Sequence, residues 1–149
     1  MRRSGFTLIE LLVVVALLGV LALVGYPKVS NAMTKTNLRS ARGAVANMVT
    51  KARIVATQRN RTARVNFDGN TVFVTADGRT LPGNGSMDTL GGLQNLSTLY
   101  GATLVAPGLA SIAYDPRGFR VGVGSDTLRL TRNGQRDSLV VDAMGRVRK

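Results

Sequence analysis

The sequence predicts an α+β fold in which one long N-terminal helix, half transmembrane and half amphipathic, packs on a small antiparallel β-sheet domain. Apolar residues recur with a helical period up to about Gln58. After Arg61 the period changes to two, and short strand-like segments alternate with glycine-containing turns. The length of 149 residues allows one modest domain with an appended segment.

The composition limits the kinds of site that the chain can build. Lysine and arginine number 20 against 8 acids, and because histidine is absent the net charge of +12 persists across physiological pH. Cysteine is also absent, so the usual zinc and copper ligand sets cannot form. We expect no metal site, no cofactor and no enzymatic activity, and the basic excess favours an anionic partner.

The aspartates support the expectation of a non-catalytic chain. They fall mostly in turn sequences, where hydrogen bonds from side chain to backbone account for them. They are Asp68, Asp77, Asp88, Asp115, Asp126, Asp137 and Asp142. No catalytic residue is therefore predicted among them.

The first element is an apolar segment, residues 6–26, whose only charge is Glu10. At about 1.5 Å per residue it forms a helix of about 31 Å, which matches a hydrocarbon core of about 30 Å. A cleaved secretory signal peptide is the alternative, because two arginines precede the segment and Ser30 and Ala32 are small residues at a suitable spacing. The length of the segment and its glutamate favour a membrane span.

The helix is expected to continue over residues 27–61 as an amphipathic helix. Apolar residues recur there at intervals of four and three, which places them on one helical face. They are Ala41, Val45, Met48, Ala52 and Val55. Pro27 removes one backbone hydrogen bond near the membrane exit, so we expect a kink at this position and no break.

Residues 62–149 are expected to form the β-rich domain. "ARVNF" and "TVFVTA" flank Asp68-Gly69-Asn70, which predicts a hairpin. Residues 80–101 are rich in glycine, serine, asparagine and threonine and predict a long loop with a short helical or strand piece. The strand-like segments "SIAYD", "FRVGVG", "TLRLT" and "SLVVD" follow, and the aromatic residues of the domain alternate with polar neighbours as core residues do: Phe67, Phe73, Tyr114 and Phe119.

Glu10 requires an explanation if residues 6–26 span a membrane. A carboxylate at the centre of a lone membrane helix costs about 2.5–3.5 kcal/mol on insertion scales. If the chain were cut after Gly5, Phe6 would carry a new α-amine that could neutralise the glutamate of an adjoining subunit. The alternative is that Glu10 lies near a helix N-terminus, where it interacts with the helix dipole and reaches the lipid headgroups.

The N-terminal residues resemble the class III signal of type IV prepilins and type II secretion pseudopilins. A basic leader of residues 1–5, ending at Gly5, precedes "FTLIELLVVVALLGVLALVGYP". The resemblance implies that a prepilin peptidase removes the leader and that the new N-terminal residue, Phe6, is methylated. It also implies that Glu10 pairs with a neighbour's N-terminus during filament assembly and that the helix kinks or melts at Pro27.

The C-terminal stretch, residues 112–149, resembles the end of the GspH/FimT pseudopilin domain. Some members of that family bind DNA through a C-terminal GRxR motif, which here implies Gly145, Arg146 and Arg148, with Lys149 beside them. Arginine binds phosphate through several donors in a fixed fork, and the scarcity of aromatic residues favours duplex DNA over stacked single strands. The alternative is that the Gly-Arg end caps and solvates the sheet.

The predicted function is a minor pilin or pseudopilin that joins a type II secretion pseudopilus or a type IV pilus. The alternative is a DNA-binding minor pilin that serves DNA uptake in natural transformation. The expected partners are other pilins, a prepilin peptidase, the inner membrane and double-stranded DNA. The resemblance implies a single-pass inner-membrane protein whose C-terminal domain is periplasmic, or extracellular once it is assembled in a pilus.

The charge distribution favours the opposite membrane orientation. The basic residues after the span outnumber the two arginines before it, and by the positive-inside rule they would hold the C-terminal domain in the cytoplasm. They begin with Lys28, Lys35 and Arg39. A membrane-anchored basic protein that faces the cytoplasm is therefore a third hypothesis.

Overall fold

The computed structural model describes residues 7–78 and 87–148. Gly5, Phe6, Lys149 and the first part of the predicted loop, residues 80–86, lie outside the described residues. The chain divides into two compact units between Lys35 and Thr36. The long helix α1, Leu8–Arg59, contributes residues to both units.

The first unit consists of the N-terminal part of α1. Thr7 precedes the helix, and its Oγ1 accepts a hydrogen bond of 3.3 Å from the backbone N–H of Glu10, as an N-terminal cap does. The large apolar side chains that follow are exposed, for example Leu8 at 77% and Leu23 at 78%. An 18-residue window of α1 has a mean hydropathy of 2.9, and none of its residues is buried in the protein. By length and composition α1 can therefore cross a membrane.

The part of α1 in the second unit buries the apolar face that the sequence predicts. Ala41, Val45, Met48 and Ala52 are buried, and Val55 is half-buried against the same core. This confirms the helical period from Ala41 onward. The second half of the helix and the β-rich domain, which were predicted as separate segments meeting at residues 61 and 62, share one compact unit. The helix supplies one side of its core and the strands supply the other.

The strands form two antiparallel sheets. The six-stranded sheet has the order β3-β2-β1-β6-β7, with β4 paired to β2, and the four-stranded sheet has the order β10-β9-β8-β5. The bounds are β1 Ala63–Asp68, β2 Thr71–Asp77, β3 Met87–Thr89, β4 Gln94–Asn95, β5 Thr103–Val105, β6 Ser111–Tyr114, β7 Arg120–Val121, β8 Asp126–Arg132, β9 Gln135–Val141 and β10 Val147–Arg148. The α+β class with a helix on antiparallel strands is confirmed, and the strands are divided between two sheets.

Two of the predicted turns are tight hairpins. In β1–β2, Asp68 pairs with Thr71 around a two-residue turn. In β8–β9, Arg132 pairs with Gln135, and both turn residues have positive φ, 46° at Asn133 and 76° at Gly134. Asn-Gly is the preferred sequence of a hairpin turn with positive φ at both central positions, so the dipeptide fixes the register of the longest pair of strands.

The second half of the predicted loop has regular structure. It contains β3, β4 and the short helix α2, Leu96–Tyr100. Asn95 caps α2, since its Oδ1 accepts hydrogen bonds of 3.0 Å from Ser97 N and 3.1 Å from Thr98 N. Leu96 is buried in the core and anchors this segment.

The aromatic residues are less buried than the sequence predicts. Tyr114 is fully buried, Phe67 is half-buried against the core, and Phe119 is 49% exposed. Phe119 ends a tight turn that begins at Asp115, where Asp115 N donates to Phe119 O at 2.9 Å. The alternation of a strand does not apply in such a turn, so the prediction of Phe119 as a core residue was wrong.

Candidate functional site

The N-terminal candidate is Glu10, which lies in the first turn of α1 and is exposed. Thr7-Leu8-Ile9-Glu10 has the spacing of a capping box, in which a threonine caps the helix and a glutamate follows three residues later. The capping hydrogen bond uses the backbone N–H of Glu10. The Glu10 side chain itself is exposed.

Pro27 lies inside α1, which continues through it to Arg59. Proline has no N–H, so the carbonyl of Leu23, four residues earlier, lacks its helical partner. The helix is not broken at this position. The kink remains a prediction.

The C-terminal candidate is built around a turn that Asp142 organises. The Oδ1 atom of Asp142 accepts hydrogen bonds from Met144 N at 3.0 Å and from Arg146 N at 2.8 Å. The backbone closes the same turn, because Gly145 N donates to Asp142 O and Asp142 N donates to Arg146 O, both at 2.9 Å. This fixes the point at which the chain reverses into β10.

Asp115, in the connection between β6 and β7, builds the same kind of turn. Oδ1 of Asp115 accepts from Arg117 N at 3.0 Å and from Phe119 N at 2.8 Å, and Gly118 has a φ of 81°. Both turns have the sequence Asp-x-x-Gly-x. The turn positions of these aspartates were predicted from the sequence. Their shared spacing is the signal that identifies Asp142 as the residue that positions the C-terminal arginines.

Gly145 lies where the turn meets the core. Its φ is 75°, and an added Cβ would lie 2.5 Å from Cε1 of Tyr114. The Tyr114 hydroxyl donates a hydrogen bond of 3.1 Å to the Gly145 carbonyl. Burial raises the pKa of Tyr114 to about 12, so the phenol donates this hydrogen bond even well above physiological pH.

The two candidate arginines point away from the core. Val147 packs against the core between them, while Arg146 and Arg148 are exposed, as alternation along an extended chain requires. The Arg148 side chain is 74% exposed, and its Nε lies 3.8 Å from Oδ2 of Asp142. A pair this exposed contributes little, so the guanidinium can bind another anion.

Two ion pairs remove negative charge from the strands near these arginines. Arg42 of α1 bonds Asp137 of β9 at 2.8 Å, and Arg120 of β7 bonds Asp126 of β8. The aspartates were expected mostly in turns, but these two lie in strands. The alternation of Asp137 with Leu139 and Val141 would have placed it on the inward side of β9.

Within residues 7–78 and 87–148, the structure brings no group of three or more histidine, cysteine, aspartate or glutamate side chains together. Gly145, Arg146 and Arg148 are brought to one turn, and Glu10 belongs to the other compact unit. Gly5, Phe6 and Lys149, which complete the predicted site residues, lie outside the described ranges.

Comparison with known proteins gives consistent results. Residues 1–26 match a family model described as "Prokaryotic N-terminal methylation motif". The chain is 32% identical over 156 residues to the pilin-like protein PilA1 of Thermus thermophilus, covering 99% of each chain. It is also similar to two crystal structures of the type IV minor pilin FimU of Pseudomonas aeruginosa.

The FimU comparisons establish the fold. The structure in space group P21 aligns with a TM-score of 0.59 at 16% identity, and the alignment covers 76% of this chain and 88% of the FimU chain. The structure in space group P65 aligns with a TM-score of 0.57 at 16% identity, and the alignment covers 74% of this chain and 90% of the FimU chain. The long helix packed on antiparallel strands is therefore a known arrangement.

Proposed function

Because this chain belongs to the family of type IV pilin-like proteins, we propose that it is a minor pilin that assembles into a type IV pilus. The full-length similarity to PilA1 identifies the family, which is structural and not enzymatic. The similarity in fold to a type IV minor pilin supports the pilus over a type II secretion pseudopilus. The main structural support for this proposal is the carboxylate of Glu10 in the first turn of a long helix whose N-terminal part is apolar and exposed.

The proposed location follows from the two units. Residues 6–26 anchor the chain in the inner membrane before assembly, and the unit that begins at Thr36 lies in the periplasm. This orientation opposes the positive-inside rule, so it depends on recognition of the leader and not on charge. On assembly the apolar part of α1 exchanges lipid for the apolar helices of neighbouring subunits.

Processing of the leader tests the family function directly. We expect the purified chain to have lost residues 1–5 and to carry one added methyl group on Phe6, as measured by intact mass. A Gly5→Val variant should keep the full-length mass, because the peptidase of this family cleaves after glycine. An uncut wild-type chain with a free Met1 would contradict the proposal and favour a simple membrane-anchored protein.

The second candidate function is DNA binding for uptake in natural transformation. The observation that favours it is the turn at Asp142, which presents Arg146 and Arg148 to solvent on one side of the chain. Guanidinium groups bind phosphates and release counterions, so binding should be steeply dependent on salt. Residues 145–148 also resemble the GRxR motif, and the hydrogen bonds of Asp142 hold the turn from which they begin. Both features support the same role.

The DNA-binding function is tested with an Arg146→Ala, Arg148→Ala double variant. We expect its affinity for duplex DNA at low salt to fall by at least about tenfold, because two phosphate contacts are lost. Gly145 is left unchanged in this variant so that the turn keeps its geometry. An affinity equal to that of the wild type, or a wild type that binds no duplex at low salt, would contradict the proposal.

A further inference from the structure

The outward side of the four-stranded sheet carries a second group of arginines. Leu128 and Leu130 of β8 and Leu139 and Val141 of β9 are buried, so the residues between them point to the opposite side. The side chains at these outward positions include Arg129 on β8, Arg136 on β9 and Arg148 on β10. We call this side of β10-β9-β8-β5 the outer sheet face.

The outer sheet face has no acidic side chain among the described residues of its four strands. The two aspartates of these strands are paired with inward positions, Asp126 opposite Val141 and Asp137 opposite Leu130. Arg120 and Arg42 neutralise them from the inward side. Apart from its three arginines, the face carries threonine, serine and valine, so its charge is uniformly positive.

The arginines are close enough to act together. Arg129 lies opposite Ser138, and Arg136 lies opposite Thr131, two residues further along. Diagonal neighbours of this kind have Cα atoms about 7–8 Å apart, which long side chains can bridge. A shallow depression is lined by Arg129, Arg136, Asp137 and Ser138, but Asp137 is at an inward position and its carboxylate is bonded to Arg42.

The face is continuous with the C-terminal arginines. Arg148 of β10 lies opposite Val140 of β9, on the same side as Arg136 and Ser138. Asp142 lies at the end of β9, where its Oδ1 holds the backbone of the turn and only its Oδ2 approaches Arg148, at 3.8 Å. No acidic group of the described strands therefore interrupts the face between Arg148 and Arg136.

We propose that the outer sheet face, centred on Arg129 and Arg136, binds the phosphate backbone of duplex DNA and extends the C-terminal site across the sheet. This inference rests on the DNA-binding function proposed above. Charge complementarity favours a polyanion, because an unpaired pair of like charges on neighbouring strands is unfavourable without one. The absence of aromatic side chains on the face favours phosphate contacts over base stacking.

The test uses the full chain in micelles of a neutral detergent and a fluorescent duplex of arbitrary sequence. Binding is measured over a series of salt concentrations for an Arg129→Thr, Arg136→Thr variant. Threonine suits exposed strand positions, and the thermal unfolding of the variant verifies that it folds. An Arg129→Gln, Arg136→Gln variant replaces it if the threonine variant does not fold. The control is Arg64→Thr, Arg117→Thr, which removes the same charge from exposed positions off the face.

The salt dependence provides the quantitative result. The salt dependence should become weaker in the Arg129 and Arg136 variant. The negative slope of log affinity against log salt should decrease in magnitude by roughly two, since each phosphate contact contributes about 0.9. Affinity at low salt should fall by at least about tenfold, whereas the control keeps the wild-type slope. A duplex of unrelated sequence should give the same values, because phosphates carry no sequence information.

The possible failures can be told apart. If wild type and the Arg146 and Arg148 variant differ as expected but the Arg129 and Arg136 variant binds like wild type, the outer sheet face is not part of the site and only this inference fails. If the control loses as much affinity as the test variant, net charge alone explains binding and the face is again excluded. If wild type binds no duplex at low salt, the DNA-binding function and this inference fail together.

Discussion

Replacing Glu10 with leucine is expected to reduce the amount of this chain in sheared, purified pili by at least about tenfold. In the filament the carboxylate of Glu10 would meet the α-amine of a neighbouring subunit in apolar surroundings. Removing one partner leaves the other charge buried and unpaired, which is strongly unfavourable. The measurement is an immunoblot of the pilus fraction against the membrane fraction, which should keep the variant because leucine favours insertion.

The main competing explanation for Glu10 is local. Thr7 and Glu10 have the capping-box spacing, and a first-turn acid interacts favourably with the helix dipole. Glu10→Gln keeps the shape and the capping capacity but removes the charge, so it separates the two explanations. We expect glutamine to fail in assembly like leucine, and Glu10→Asp, which keeps the charge on a shorter side chain, to assemble in part.

A matched control comes from the same helical face. Val14 lies four residues after Glu10 and is exposed. Val14→Leu alters an apolar side chain of the segment without changing charge, and it should enter pili like the wild type. Normal assembly of both Glu10→Leu and Glu10→Gln would contradict the proposed pairing of the Glu10 carboxylate with a neighbour's α-amine. Failure of Val14→Leu would indicate that close packing on this face decides assembly.

The helix and most of the strands could be predicted from the sequence because their periodicities are local. The face from Ala41 to Ala52 is buried as its spacing requires, and Asn133-Gly134 forms the hairpin turn that its dipeptide predicts. Division of the strands into two sheets could not be predicted in this way. It depends on which strands pair across long separations in the chain, such as β5 with β8 and β1 with β6.

The candidate site was predictable in part for the same reason. The exposure of Arg146 and Arg148 follows from alternation about Val147. The outer sheet face could not be predicted because its uniform charge depends on which side of the sheet the aspartates occupy and on which arginines pair with them. Asp137 pairs with Arg42, which is 95 residues away in the sequence. A count of charges along the chain cannot reveal that pairing.

Gly145→Ala is expected to destabilise the folded C-terminal unit by about 2–5 kcal/mol. A side chain at positive φ costs about 1–2 kcal/mol, and forcing a methyl group into a packed site costs about 1–3 kcal/mol more. The new Cβ would lie 2.5 Å from Cε1 of Tyr114 and 3.3 Å from Cβ of Arg120. Thermal unfolding of the full chain in detergent should shift down by roughly 10 °C.

Two further variants separate the backbone cost from the steric cost. Gly108 has a φ of 68° and nothing within 4 Å of an added Cβ, so Gly108→Ala reports the backbone cost alone. In a Tyr114→Leu background the ring is absent, and the effect of Gly145→Ala should approach that of Gly108→Ala. Equal effects of the two alanine substitutions in the wild-type background would show that Tyr114 does not crowd position 145.

The role of Gly145 also determines how the DNA-binding proposal can be tested. Because Tyr114 packs against Gly145 and donates to its carbonyl, a side chain there displaces the turn that holds the Arg146 backbone. Gly145→Ala should therefore lower both stability and DNA affinity, whereas Arg146→Ala with Arg148→Ala should lower affinity at unchanged unfolding temperature. A Gly145→Ala variant of wild-type stability and reduced affinity would instead place this glycine in contact with DNA.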